Sequence, residues 1–311
     1  MVIELIRPDG LLLRRDAIAA GYTDKQLART RKAGLIVRIR HGAYAKADLW
    51  RRLDGPGRHL LLSTAVMLQY DGGVALSHGS ASIALGGPDH GLDLRDVHLT
   101  HFDGGGGRRT AGVVHHQGIC RVIDMTRVGR HWVTSPARTV LDIAVTHGVE
   151  AAVVVGDNFV HRGLTTVDEL TALAEPMGFW PGALRVRIVI ALIDGRAESV
   201  GETLFRLLCR HMGLPRPELQ YEVYGPGGVL LGRVDFYWPA FRAIGEFDGK
   251  RKYVADRREG ESIEDAVLRE KRRENLVCEA TGCRMIRFTW SDLYTPELTA
   301  QRLWAVLDRA A

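Results

Sequence analysis

Residues 14–46 read RRDAIAAGYTDKQLARTRKAGLIVRIRHGAYAK. Gly21 closes a short helical stretch, and Thr23 with Gln26 has the spacing of a capping box that opens a second helix. Leu27 and Ala28 supply the apolar side of that helix, Lys25, Arg29, Arg31 and Lys32 make the rest of it basic, and Gly34 stops it. LIVRIR and AYAK, joined by His41 and Gly42, then read as a hairpin with a tight turn. Helix, turn, helix and hairpin in this order predict a winged helix-turn-helix. Its second helix enters the DNA major groove, and Arg38, Arg40 and Lys46 on the wing meet phosphates. The same pattern also describes a basic, solvated helical hairpin docked on the rest of the chain.

Charge favours the DNA reading. The 311-residue chain carries a net +5, yet residues 1–58 hold thirteen Lys and Arg against six Asp and Glu, a surplus of seven. The remainder is slightly acidic. A surplus confined to one end fits a polyanion partner for that end alone. The composition, 46% hydrophobic and 25% charged, is that of a folded chain with room for two or three cores. No apolar run approaches the roughly 20 residues of a membrane span, and MVIELIRPDG lacks the layout of a signal peptide, so a cytoplasmic protein is expected. Cys120, Cys209, Cys278 and Cys283 form no CxxC pair and read as buried free thiols.

From residue 59 to 195 short helices alternate with short strands, in LLLSTAVMLQYDG, DVHLTHF, GVVHHQG, SPARTVLDIAVTHG and AAVVVGDNFVHRG. This predicts a mixed α/β (α+β) middle domain. Gly104 to Gly107 lack the strand-to-helix setting and Lys-Ser/Thr of a phosphate loop, and read as a flexible hairpin tip. His78, His98, His101, His115 and His116 have no HExxH-like spacing and read as scattered surface or strand residues. SHGSA lacks the GxSxG elbow of a hydrolase. No chemistry is assigned to this region.

The succession AAGYTDKQLARTRKAGLIVRIRHGAYA, ALSHGSASIALGG and VTSPARTVLDIA resembles the AbiEi-type antitoxins of type IV toxin-antitoxin systems. It covers roughly the first 190 residues, with motifs made of turns and apolar positions. The resemblance implies DNA binding, autoregulation and a nucleotidyltransferase-like toxin as partner. It implies no catalytic residue.

Beyond Glu198 the texture changes. A helix with Leu204, Leu207 and Leu208 ends near Gly213, a strand follows, and then GRVDFYWPAFRAIGEFDGK (232–250) reads as a hairpin. With Pro239 and Ala240 as its turn, Asp235 lies opposite Ile244. Asp235, Ile244, Glu246, Asp248 and Lys250 then share one face. Val234, Phe236, Trp238, Ala243, Gly245 and Phe247 share the other, which is fit for a core. Three carboxylates on one face repel one another unless a cation joins them, and few hard oxygen ligands with room for water and phosphate describe a Mg²⁺ (or Mn²⁺) site. Such a metal could generate hydroxide and neutralise charge on a phosphodiester, with Lys250 holding the attacking water. A solvated outer face, its acids paired to Arg233, Arg242 or Arg251, is the other reading.

The run from Glu202 through RVDF, GEFDGK and LREKRRENLVCEATGCRMIRFTWSDL resembles the PD-(D/E)XK nuclease superfamily, in particular its very-short-patch-repair-like and DUF559-type branch. The resemblance covers about residues 198–310 and implies that Glu202, Asp235, Glu246 and Asp248 bind Mg²⁺ and cut DNA. If Glu246 is the second acid, Asp248 takes the lysine's place; if Asp248 is, Asp248-Gly249-Lys250 completes the motif, with Lys252 and Lys271 as further candidates for the lysine. Arg251, Lys252, Arg257, Arg258, Arg272 and Arg273 could track a DNA backbone or form a salt-bridged surface helix, which Ser262 and Asp265 cap.

The expectation is therefore a multidomain α/β chain. It has a winged helix-turn-helix at 1–58, a middle domain at 59–195 and a restriction-endonuclease-like α/β domain with a central mixed sheet at 196–311. Its function is either Mg²⁺-dependent DNA cleavage targeted by the N-terminal module, or DNA-binding regulation by an antitoxin carrying a degenerate nuclease domain. A pure protein-interaction antitoxin that acts by holding its toxin is a third reading.

Overall fold

The computed structural model describes residues 2–70, 72–118, 120–178, 181–249 and 261–308. They form two compact units, one of residues 1–155 and 164–192, the other of 156–163 and 193–311.

The first unit begins with the segment read from sequence as a winged helix. After β1 (Leu11–Leu13) come α1 (Arg14–Ala19), α2 (Asp24–Lys32), β2 (Ile36–Arg40), β3 (Ala43–Lys46) and α3 (Ala47–Arg52). The Thr23–Gln26 capping box is present in both directions and fixes where α2 starts. Gly42, at φ +73°, turns the β2–β3 wing. The three strands pair in the order β1-β3-β2. The contribution of LLL to this sheet lay outside the sequence reading. Leu12, Ala17, Leu27 and Ile36 bury one small core. Ala28, expected beside Leu27, is exposed.

Helix α4 (Gly55–Met67) is buried along two stripes. Leu61 and Ala65 pack with Leu11, Leu13 and Ala43 of the wing sheet. Val66 and Met67 pack with a six-stranded mixed sheet. That sheet comprises β4 (Val74–Leu76), β5 (Val97–His101), β6 (Arg108–Thr110), β7 (Val113–His116), β8 (Met125–Val128) and β9 (His131–Thr134), in the order β6-β7-β5-β4-β9-β8. Helix α5 (His78–Ala84) follows β4 directly, and α6 (Pro136–Thr146), α7 (Val149–His161), α8 (Val167–Ala174) and α9 (Ala183–Leu192) complete the series. Gly104–Gly107 join β5 to β6, which are separated in the sheet by β7, so the loop is a crossover and not a hairpin tip. A Cβ on Gly106 would stand 2.5 Å from the His116 carbonyl carbon, which leaves only glycine able to pass.

The second unit is built on a sheet of β10 (Glu218–Tyr224), β11 (Leu230–Trp238), β12 (Ala243–Asp248) and β13 (Arg284–Thr289), in chain order. The first three strands are antiparallel; β13 lies parallel to β12 and is reached through α11 (Ile263–Thr281). Parallel neighbours need such a crossover, and the helix covers one face of the sheet. Val277 of α11 packs there with Val223, Val234 and Ile244. On the opposite face α10 (Val200–His211) and α13 (Pro296–Leu307) bring Phe205, Leu208, Ala300 and Leu303 onto Phe236, Trp238, Phe247 and Phe288. A four-residue α12 (Trp290–Leu293) links β13 to α13.

The hairpin register differs from the expected one by two residues. Pro239–Phe241 form a 3-10 turn and Arg242 is left-handed, a longer connection than Pro239-Ala240 alone. Tyr237 and not Asp235 is therefore opposite Ile244. Faces also change along β11. Val234 buries with Ile244 under α11, while Phe236 and Trp238 bury on the α10 side, so the strand rotates at Asp235. There the Asp235 carboxylate accepts the Phe247 N–H at 2.8 Å, a bond that regular pairing gives to a backbone carbonyl.

All four cysteines are free; Cys209 and Cys283 are buried, Cys120 and Cys278 half-buried. Among the described residues no helix is long and apolar enough to cross a membrane.

Candidate nucleic-acid interface and buried charge clusters

Helix α2 buries Leu27 and exposes Lys25, Arg29, Arg31 and Lys32. An exposed bidentate pair, Arg14 to Asp24 at 2.7 and 2.6 Å, ties the start of α1 to the start of α2. That contact fixes the angle between the two helices and leaves the four α2 cations unpaired among the described residues. On the wing Arg38 and Lys46 are exposed. Arg38 donates to the Arg40 carbonyl at 3.3 Å and lies 3.1 Å from His41 Nδ1. Arg40 differs from the expectation. A bulge between Arg38 and Arg40 turns it inward, its Nε is buried without a partner, and burial lowers its pKa. The exposed basic set is thus Lys25, Arg29, Arg31, Lys32, Arg38 and Lys46.

The acids of the second unit are brought together in two groups and not as one face. In the first, Glu202 near the start of α10 accepts from the Glu198 N–H at 3.0 Å and the Ser199 hydroxyl at 2.7 Å. Gln220 donates to both Glu202 (2.8 Å) and Asp235 (3.3 Å). Gln220 reaches them because β10 breaks its ladder there, with Gln220 at φ +54°. Burial raises the Glu202 pKa, the neighbouring Asp235 raises it further, and the three donors partly offset both.

In the second group Glu246 of β12 is held by Arg273 and, at 3.4 Å, by Arg287. Arg287 also reaches Asp248 at 3.1 Å and Glu274 at 3.0 Å, and Arg273 reaches Glu270 at 2.6 Å. Burial raises the Glu246 pKa, and the two guanidiniums counter it. The partners proposed from sequence were different: Arg233 pairs with Glu198 at 2.7 Å. Among the described residues Asp235, Glu246 and Asp248 do not place three ligand atoms within 4.8 Å of one another. Lys250, Lys252, Arg251, Arg257 and Arg258 lie outside the described residues, and Lys271 is exposed on α11. Gln220, Arg273 and Arg287 escaped sequence reasoning. Arg273 was noticed only as one of a basic run, and nothing in the local pattern marks which arginine of a charged helix turns toward the sheet.

The histidines read as scattered are gathered instead. One ring nitrogen from each of His78, His98 and His116 lies within 4.8 Å of the other two. Residues 18 to 38 positions apart carry no spacing signal; strand order β7-β5-β4 creates the group.

The N-terminal region is antitoxin-like: residues 1–45 match the family described as "Transcriptional regulator, AbiEi antitoxin". Over 231 residues the chain is 32% identical to the uncharacterized protein MT2308 of Mycobacterium tuberculosis (strain CDC 1551 / Oshkosh), spanning 73% of this chain and 78% of that one. Identity and coverage are the same for the uncharacterized protein Rv2248 of Mycobacterium tuberculosis (strain ATCC 25618 / H37Rv). The chain belongs to the family of these mycobacterial proteins.

Proposed function

We propose that the protein is a DNA-binding transcriptional regulator of the AbiEi antitoxin kind, with α2 in the major groove and the β2–β3 wing on the phosphate backbone. The observation that carries this reading is the exposed face of α2, where four cations stand without acidic partners among the described residues, on a helix whose opposite side is anchored by Leu27. The match of residues 1–45 to the antitoxin family supports it. Cations left unpaired on a short rigid helix release counterions from DNA, which gives affinity and strong salt dependence. The natural target is the protein's own promoter, and the partner in that setting is a nucleotidyltransferase-like toxin. Fluorescence anisotropy of the full chain on its promoter DNA tests the reading. Binding that weakens steeply with salt, and is lost in the Lys25→Ala/Arg29→Ala/Arg31→Ala/Lys32→Ala variant, is expected. Undiminished binding by that variant overturns the assignment to α2.

A second reading rests on the Glu202–Gln220–Asp235 cluster: a Mg²⁺ (or Mn²⁺) site for phosphodiester cleavage, completed by Glu246 and Asp248. Two buried acids sharing one amide are the kind of arrangement that a cation relieves. Against it, Arg273 and Arg287 already neutralise Glu246 and Asp248. Calorimetric titration with Mg²⁺ and a DNA cleavage assay, each with Asp235→Asn as control, decide it. Absence of both binding and cleavage leaves the regulator without an enzymatic activity at this site.

A further inference from the structure

His78, His98 and His116 come from the first residue of α5, the second residue of β5 and the last residue of β7. His98 Nδ1 and His116 Nε2 are 2.8 Å apart, and the His78 and His116 rings stack with centroids 3.6 Å apart. His78 and His98 are buried. Two imidazole nitrogens in contact share one proton at most, so each ring offers a lone pair only where its neighbour donates. A divalent cation would replace that shared proton and accept a lone pair from all three rings.

A fourth group points the same way. Asp142 of α6 is buried, and Arg138 binds its Oδ1 at 2.8 Å. Its Oδ2 has no hydrogen-bond partner and lies 3.9 Å from His78 Nδ1. Arg138 balances the charge of this carboxylate, but a buried oxygen left without a donor is costly and leaves room for a further ligand. The backbone at His78 adds a third sign. Its φ of +53° is unusual for a residue with a Cβ, and the conformation holds its ring over His116.

We propose that His78, His98 and His116, with Asp142 Oδ2 as fourth ligand, form a binding site for a zinc-like divalent cation that ties α5 and α6 to the six-stranded sheet. Three imidazoles and a carboxylate suit Zn²⁺ and its first-row neighbours and do not suit Mg²⁺. A tetrahedral ion with bonds of about 2 Å needs ligand nitrogens roughly 3.3 Å apart. The nitrogens here, from 2.8 Å to at most 4.8 Å apart, bracket that value, and Asp142 Oδ2 stands 3.9 Å from the nearest of them, His78 Nδ1. The proposal is independent of the DNA-binding reading.

The test uses the full chain stripped with chelator. Zn²⁺ titration should show one ion per chain, and zinc at 100 times its Kd should raise the Tm by about 5–10 °C. Co²⁺ should give the intense visible absorption of a tetrahedral site. His98→Gln and His116→Gln should weaken binding at least about a hundredfold. Asp235→Asn should leave it unchanged, which separates this site from the acids of the second unit. Should the histidine variants fail to fold, the stoichiometry and Co²⁺ spectrum of the wild type decide. No uptake by the wild type, an octahedral Co²⁺ spectrum, or equal uptake by folded histidine variants overturns the proposal.

Discussion

The winged helix and the C-terminal sheet domain both carry dense charge, but they dispose of it in opposite ways. On α2 the cations are exposed and, among the described residues, unpaired, and the ion pair of Asp24 with Arg14 links α2 to α1. Around β12 each described acid is matched: Glu246 and Asp248 by arginines, Asp235 by a backbone N–H and an amide. Unpaired surface charge is available to a partner at little desolvation cost. Buried charge already neutralised is available only to a ligand that displaces its counter-ion. The difference explains why the first region supports a binding function directly, whereas the second has to be tested for one.

The sharpest test of the contrast is salt. If all six exposed cations of α2 and the wing meet phosphates, affinity should fall by about a thousandfold between 50 and 200 mM salt. Arg38→Ala with Lys46→Ala should lower the slope of log affinity against log salt by about 1.8, so that the fall between 50 and 200 mM salt is about tenfold smaller. Arg40→Ala should change it little, since that side chain is turned inward. An effect of Arg40→Ala equal to that of Arg38→Ala breaks the distinction between exposed and buried charge on the wing.

Arg273→Ala probes the other side. It removes the principal partner of buried Glu246 and should cost about 2–4 kcal/mol, read by denaturant unfolding. Millimolar Mg²⁺ distinguishes the two readings of this cluster. A metal site freed of its arginine recovers stability on adding the ion; a structural ion pair does not.

These regions were also unequally legible. For α1, α2 and the wing the signals are local: Thr23–Gln26 is a three-residue spacing and Gly42 a turn, and each acts within a few residues of itself. Of the seven basic residues named there, only Arg40 depended on a bulge, which has no mark in the sequence. In the C-terminal domain the acids were visible but their neighbours were not. Whether Asp235 meets Glu246 or Gln220 depends on a rotation of β11 and on the break of β10 at Gln220. The histidines show the limit most plainly, since their gathering follows from the order of strands in the sheet, a non-local property.

Gly201 offers a smaller effect on the same cluster. A Cβ there would lie 2.1 Å from the Phe247 ring, which is itself buried in the sheet core. Gly201→Ala should therefore destabilise by about 1–3 kcal/mol despite its better helix propensity, and the strain falls between Glu202 and the N–H that Asp235 accepts. A gain in Tm would mean that α10 and β12 separate more easily than their packing implies.

The smallest expected change is that of Glu202→Gln, and its sign carries the information. Burial and Asp235 raise the folded pKa of Glu202 above the unfolded value of 4.5, so the protonated form is favoured by folding. The resulting contribution is fully present below pH 4.5 and is lost as pH rises through the raised folded value. Wild-type stability should decline across that window, and the variant, which cannot ionise, should not share the decline. At pH 7 the variant should be the more stable, because Gln keeps an acceptor for Gln220 while Ser199, already a donor and an acceptor here, can accept from the new amide. Saturating Mg²⁺ reverses the order if the acids are a metal site, since only the carboxylate gains from the ion. Thermal melts at pH 4 and 7, with and without Mg²⁺, therefore ask of Glu202 what salt asks of α2: whether its charge is there for a partner.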